Sequence, residues 1–153
     1  MLNILWRIRN LFLSLFYRKT VGARALVIKD NQVLLVKHTY ISGWYTIGGA
    51  IDKGESPLQA LQRELKEEAG LICLGLPKLF GAYYNQGEGR DDYIFFYTVK
   101  EFEEQAAFFS STRNWEIQEA KWFSLDALPT DISPATLKRI EEYQGVKDIS
   151  DTW

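Results

Sequence analysis

The chain has 153 residues, with 46% hydrophobic and 25% charged side chains and a formal net charge of −2. That length suits one domain with a buried core, and the mild negative balance excludes a duplex nucleic-acid binder with a broad basic face. A single cysteine, Cys73, excludes an internal disulfide framework, and one cysteine with one histidine, His38, cannot fill a four-ligand zinc site.

Residues 1–19 stand apart as an N-terminal extension, with residues 20–153 as the main domain. The stretch "MLNILWRIRNLFLSLFYRKT" has no acidic residue, and Arg7, Asn10, Ser14 and Arg18 fall on one narrow helical stripe among apolar positions. This predicts an amphipathic helix. It is too short and too charged to span a bilayer, and its flanks do not suit a cleaved signal peptide. Two roles stay open: packing on the domain or on a second copy as a homodimer contact, or lying on a membrane surface. The expected location is cytoplasmic, at most peripheral on the inner face of a membrane.

From Thr20 the pattern alternates. "VGARALVI" and "QVLLVKHTY" flank Asp30-Asn31 and predict a β-hairpin. "GWYTIGG" predicts a short strand or loop running into glycines. Ser56 as N-cap, Pro57 at the first helical position and Gln59 as the reciprocal partner predict a helix start, and Gly70 its stop. "PKLFGAYYN" and "DYIFFYTVKEF" predict strands joined by the polar loop "QGEGRD". "EAKWFSL" predicts another strand, and Ser133-Pro134 opens a last helix that stops at Gly145. There is no internal repeat, low-complexity tract or linker. The fold class is α+β.

The helix after Ser56 carries the chemistry. At about 100° per residue, Glu64, Glu67 and Glu68 share one arc, while Leu58, Leu61, Leu65 and Ala69 form an apolar stripe beside it. Like charges this close repel by about 1 kcal/mol or more per pair at a partly wet site. A hard divalent cation such as Mg²⁺ or Mn²⁺ would remove that repulsion. A solvated face with ion pairs to Arg63 and Lys66 explains the same glutamates, and carboxylate density alone favours it. The flanks shift the balance: Gly48-Gly49 allow backbone carbonyls close to an ion, and Glu55 can pair with Arg63 to hold the loop to the helix.

The spacing decides. Gly49, five residues, Glu55, seven residues, Arg63-Glu64-Leu65, one residue, Glu67-Glu68, one residue and Gly70-Leu71 resemble the Nudix box at every fixed position. The resemblance extends from the hairpin to "EAKWFSLDALP". One departure is Ile47, where the family often has proline. The resemblance implies a mixed β-sheet between helices (an α/β/α sandwich). It also implies Mg²⁺- or Mn²⁺-dependent hydrolysis of a nucleoside diphosphate linked to another moiety. The substrate would be a small nucleotide, either a nucleotide sugar such as ADP-ribose or a nucleoside triphosphate. Carried over by position, Glu64, Glu67 and Glu68 would be metal ligands, with a carbonyl of Gly48 or Gly49. Arg63 and Glu55 would position them. A general base is expected in "NWEIQEAKWF", where Glu116 is favoured over Glu119 by its spacing from Trp122; Glu64 is the other candidate.

Tyr40, Trp44, Tyr45 and Tyr83 are candidates to stack on a nucleobase, although core or rim packing explains each as well. Arg90 is a candidate phosphate contact, with pairing to Asp91 or Asp92 as the plainer role. His38 and Cys73 read as structural. The alternative to an enzyme is a Nudix-fold binding or regulatory module, which the intact glutamates disfavour.

Overall fold

The computed structural model describes residues 19–87, 90–105 and 116–153. The amphipathic extension lies outside these residues, apart from Lys19, which opens the first strand. Five strands form a path through one mixed sheet: β5 (Lys78–Gly87), β6 (Arg90–Val99), β1 (Lys19–Lys29), β2 (Gln32–His38) and β8 (Ile117–Ser124). The short strand β3 (Ile47–Ala50) pairs with β1 off this path, and β4 (Leu71–Cys73) pairs with β7 (Phe102–Glu104) in a small second sheet. Two helices complete the described structure, α1 (Pro57–Ala69) and α2 (Pro134–Tyr143).

The β1–β2 hairpin turns at Asp30 and Asn31, whose φ angles of 47° and 60° are the left-handed values that a tight two-residue turn requires. Both strands are apolar in two registers because the sheet is covered on both faces. Ala23, Ala25, Val27, Leu34 and Val36 face one core, with Leu61 and Leu65 of α1. Leu26, Ile28, Val33 and Leu35 face the other, with Ile140 of α2. The helices therefore sandwich the sheet. Among the described residues, no helix is long and apolar enough to cross a membrane.

The helix signals in the sequence are realised. Ser56 accepts from the Gln59 N–H at 3.2 Å, Gln59 Oε1 accepts from the Ser56 N–H at 2.8 Å, and Gly70 ends α1 at φ 60°. Two details differ from the sequence reading. Part of "QGEGRD" is strand, since β5 and β6 stay paired up to Gly87 and Arg90. The stretch ending "TVKEF" divides into β6 and β7, because β7 leaves the main sheet to pair with the three-residue β4.

The topology places a junction beside α1. One edge of β1 is shared: Val27–Lys29 pair with β2, whereas Gly22–Ala25 pair with β3. The chain from Tyr45, which pairs with Val36, to Ile47, which pairs with Ala25, crosses between them. Ile47 is fully buried in this crossing and belongs to the α1-side core. Here the isoleucine supplies core packing.

Candidate active site

The carboxylates of α1 meet the junction through two glycines. Glu68 is only 7% exposed, and its Oε2 accepts from the Gly48 N–H at 2.9 Å. Glu64 lies against Gly49: a Cβ added there would stand 2.6 Å from Glu64 Oε1. Gly48 adopts φ +133°, and a Cβ on it would overlap the Ala23 carbonyl oxygen and lie 2.6 Å from Arg24 Cα. Gly48 is therefore required by close approach of backbone, whereas a side chain on Gly49 would have to displace the Glu64 carboxylate; both reasons are separate from any carbonyl contact to an ion.

Arg63 organises the rest. Its Nε donates to Glu55 Oε1 at 2.9 Å and its Nη2 to Glu55 Oε2 at 3.0 Å, a bidentate fork. Nη1 donates to Glu64 Oε1 at 2.6 Å and to Glu67 Oε2 at 3.4 Å, and Nη2 also reaches the Ala50 carbonyl at 3.0 Å. One guanidinium thus ties the loop before the helix, the end of β3 and two helix carboxylates together. Its pKa rises, chiefly through the bond to Glu55, and the same bond lowers that of Glu55.

Burial dominates the remaining two acids. It pushes the Glu68 carboxyl up to about 8, against the Gly48 hydrogen bond, and the negative charge of Glu64 adds to the rise. Burial also raises Glu64, opposed by Arg63. Glu67 is more open, with its side chain 54% exposed. Among the described residues, no group of three His, Cys, Asp or Glu closes into a ready metal cluster. Arg63 lies between Glu64 and Glu67 instead. The donor set still fits a divalent cation: it is all oxygen, it is partly buried, and Glu68 has a single N–H partner and a penalty for carrying its charge unpaired.

The other expected residues divide. Glu116 is exposed just before β8, its carbonyl accepts from the Thr39 N–H at 2.9 Å, and its charge acts on Glu68, His38 and Tyr40. Glu119 lies opposite Lys37 in the β2–β8 pair. Tyr40 is 72% exposed, with its ring centroid 5.2 Å from that of His38. Tyr45 is half-buried against the α1-side core, 5.7 Å from His38 by ring centroid, and its hydroxyl donates to the Ser42 carbonyl.

Trp44 and Tyr83 are not brought to the carboxylates. Trp44 is 6% exposed in the α2-side core, edge-on to Phe123. Tyr83 is 1% exposed in the same core, and its hydroxyl donates to Glu142 at 3.0 Å. Alternation along a strand gives the reason, since Tyr83 points to the α2 face of the sheet. The Arg90 backbone opens β6, six positions before Phe96, the cross-strand neighbour of Arg24. At about 3.3 Å per residue this is roughly 20 Å along the sheet.

His38 is 8% exposed, burial lowers its pKa, and its Nδ1 has no hydrogen-bond partner among the described residues. Cys73 is half-buried in β4, and burial raises its thiol pKa. Sequence reasoning missed Arg24. The available signal was a single charge inside the apolar run "VGARALVI".

Comparison with known proteins agrees with this geometry. The sequence matches the NUDIX domain over residues 18–143. The chain belongs to the Nudix family. It is a hydrolase of phosphoric anhydrides, and Nudix enzymes generally use divalent metal ions.

A putative 8-oxo-dGTP diphosphatase of Bacillus subtilis is 29% identical over 135 residues, covering 87% of this Nudix chain and 86% of the relative. The m7GpppN-mRNA hydrolase dcap-2 of Caenorhabditis elegans is 31% identical over 146 residues, and the chain spans only 18% of that protein. Among solved structures, a MutT NUDIX hydrolase from Burkholderia pseudomallei superposes with a TM-score of 0.70 at 24% identity, covering 81% of this chain and 97% of that one. A NUDIX hydrolase from Nitrosomonas europaea gives the same TM-score at 22% identity, covering 88% and 99%. These two likenesses are of fold.

Proposed function

We propose that the protein hydrolyses a nucleoside triphosphate to the monophosphate and pyrophosphate, with Mg²⁺ or Mn²⁺. The observation that carries this reading is the buried Glu68 carboxylate, held by one backbone N–H beside Glu64 on the same helix shoulder. Such a pair of acids is costly without a cation and useful with one. The choice of a triphosphate draws on the Bacillus relative, whose similarity runs over most of both chains. A nucleotide sugar is the competing substrate class.

Glu64, Glu67 and Glu68 would hold the cation, with a carbonyl of Gly48 or Gly49. The ion would supply charge neutralisation at the non-bridging phosphate oxygens and lower the pKa of bound water. The chain's own residues do the remaining work. Arg63 and Glu55 fix the rotamers of the helix acids through the fork described above. Glu116 accepts the proton of the attacking water. The water oxygen bonds to phosphorus as the anhydride P–O bond breaks, and pyrophosphate leaves. Tyr40, exposed beside His38, offers a face on which a base can stack.

The test is a panel of nucleoside triphosphates and nucleotide sugars assayed with Mg²⁺ and Mn²⁺. Glu68→Gln should abolish whatever turnover the wild type shows. Turnover of nucleotide sugars alone would replace the triphosphate reading, and no turnover on any panel member would overturn it.

A further inference from the structure

We propose that Arg24 is a substrate-positioning residue of this site, its guanidinium gripping a substrate phosphate across the junction from the α1 carboxylates. The proposal rests on the phosphoric-anhydride reading of the site and adds the group that receives the substrate's own charge.

Arg24 lies on the central strand, between β6 and β3, with Phe96 and Gly48 as its cross-strand neighbours. A guanidinium partly withdrawn from water favours a partner of opposite charge. Arg24 is half-buried and forms no ion pair among the described residues; its Nη1 makes one long hydrogen bond, 3.4 Å to the Thr46 carbonyl. Arg63 differs in this respect, since Glu55, Glu64 and the Ala50 carbonyl occupy its Nε and both terminal nitrogens.

Gly48 explains where the side chain goes. A Cβ on Gly48 would lie 2.9 Å from Arg24 Cγ, so the arginine stem passes over the space that the glycine leaves open. The N–H of the same glycine holds Glu68 at 2.9 Å. One backbone residue therefore separates the stem of Arg24 from the most buried carboxylate. The positive charge of Arg24 is felt by Glu64, Glu68, His38 and Tyr40 alike.

The neighbourhood is short of partners. Among the described residues, His38 Nδ1 and Thr46 Oγ1, both on buried residues, have none. A phosphate matches the Arg24 fork with two parallel bonds and supplies acceptors to spare. A metal ion at the carboxylates and Arg24 opposite would together bracket a diphosphate, one charge on each side.

Calorimetry with inorganic pyrophosphate on the metal-free full chain tests this apart from catalysis. Arg24→Ala should weaken pyrophosphate binding by about tenfold or more, the loss of one charge-assisted pair, and Arg24→Lys should fall between. With an active substrate, the same variant should raise KM by a similar factor and leave kcat within about threefold, the signature of lost ground-state binding. Equal thermal midpoints for wild type and Arg24→Ala separate this role from a structural one. Unchanged pyrophosphate affinity, a wild type that binds no pyrophosphate, or a loss that merely follows unfolding would overturn the assignment. Pyrophosphate binding that depends on Arg24 in a protein that cleaves no nucleotide would sink the proposed function and leave Arg24 standing.

Discussion

Arg63 and Glu55 form a two-bond fork, Nε to Oε1 at 2.9 Å and Nη2 to Oε2 at 3.0 Å, that joins the loop before α1 to the helix itself. Lysine cannot reproduce this, because an ammonium is a point donor and also cannot reach Glu64 and Ala50 in the same pose. Arg63→Lys should lower kcat or metal affinity by about 10–100-fold, the range for residues that orient metal ligands. Metal titration of turnover, with the thermal midpoint as control, is the measurement; near-normal activity would show that Glu64 and Glu67 are positioned without the fork.

Glu68 gives a pH signature. Its carboxyl is pushed up to about 8 in the folded protein, from an ordinary value of 4.5. Between these values the folded metal-free protein holds a proton that the unfolded chain has released. The stability tied to that proton is full below pH 4.5 and is lost as pH rises through 8. Urea midpoints of wild type and Glu68→Gln, measured without metal from pH 5 to 9, should therefore diverge, with the wild type losing ground as pH rises. Metal binding near neutral pH should release a proton, and apparent metal affinity should climb with pH until Glu68 has ionised.

The two glycines separate stability from activity. Gly48→Ala places a Cβ into the Ala23 carbonyl and against Arg24 Cα, at a φ of +133°. Backbone atoms cannot move aside cheaply, so about 2–5 kcal/mol of stability should be lost. Gly49→Ala meets the Glu64 carboxylate, a flexible side-chain end. It should cost less than about 1.5 kcal/mol of stability while displacing a metal ligand and reducing turnover sharply. Chemical denaturation beside a kcat measurement checks both halves.

A different pair of charges secures the opposite face of the sheet. Arg139 and Glu142 have fully buried side chains 2.8 Å apart, and Glu142 also accepts from Tyr83 and from Ser150. Arg139 Nη1 donates to the Thr152 carbonyl, and its guanidinium sits 3.9 Å from the Tyr83 ring centroid. Glu142→Ala leaves the arginine buried without its counter-charge. The expected loss is about 3–5 kcal/mol in urea denaturation, with residual activity per folded molecule retained.

Much of this protein was legible along the chain because its signals are local. Ser56, Pro57, Gln59 and Gly70 bound one helix through hydrogen bonds three or four residues long, and the fixed spacing from Gly49 to Leu71 marked the family. Asp30-Asn31 marked the hairpin by the same logic. Trp44 and Tyr83 were misleading because an aromatic near a motif carries no label for which face of the sheet it occupies. Strand alternation sends Tyr83 to the α2-side core, and the connection between β2 and β3, bridged to Ile132, places Trp44 there. The split of β6 from β7 escaped for a related reason, since the partner of β7 is a three-residue strand too short to announce itself.

The sequence by itself determined the helix, its caps and the acids on its shoulder, since a helix fixes the relative directions of residues a few positions apart. Only the tertiary structure decided what those acids face. Pairing β3 with β1 set Gly48 between Glu68 and Arg24, residues 44 positions apart in the chain, and burial there raised one carboxyl while a cation stood nearby with no ion pair among the described residues. Register across strands and exclusion of water are properties of the packed molecule, and no local pattern encodes them.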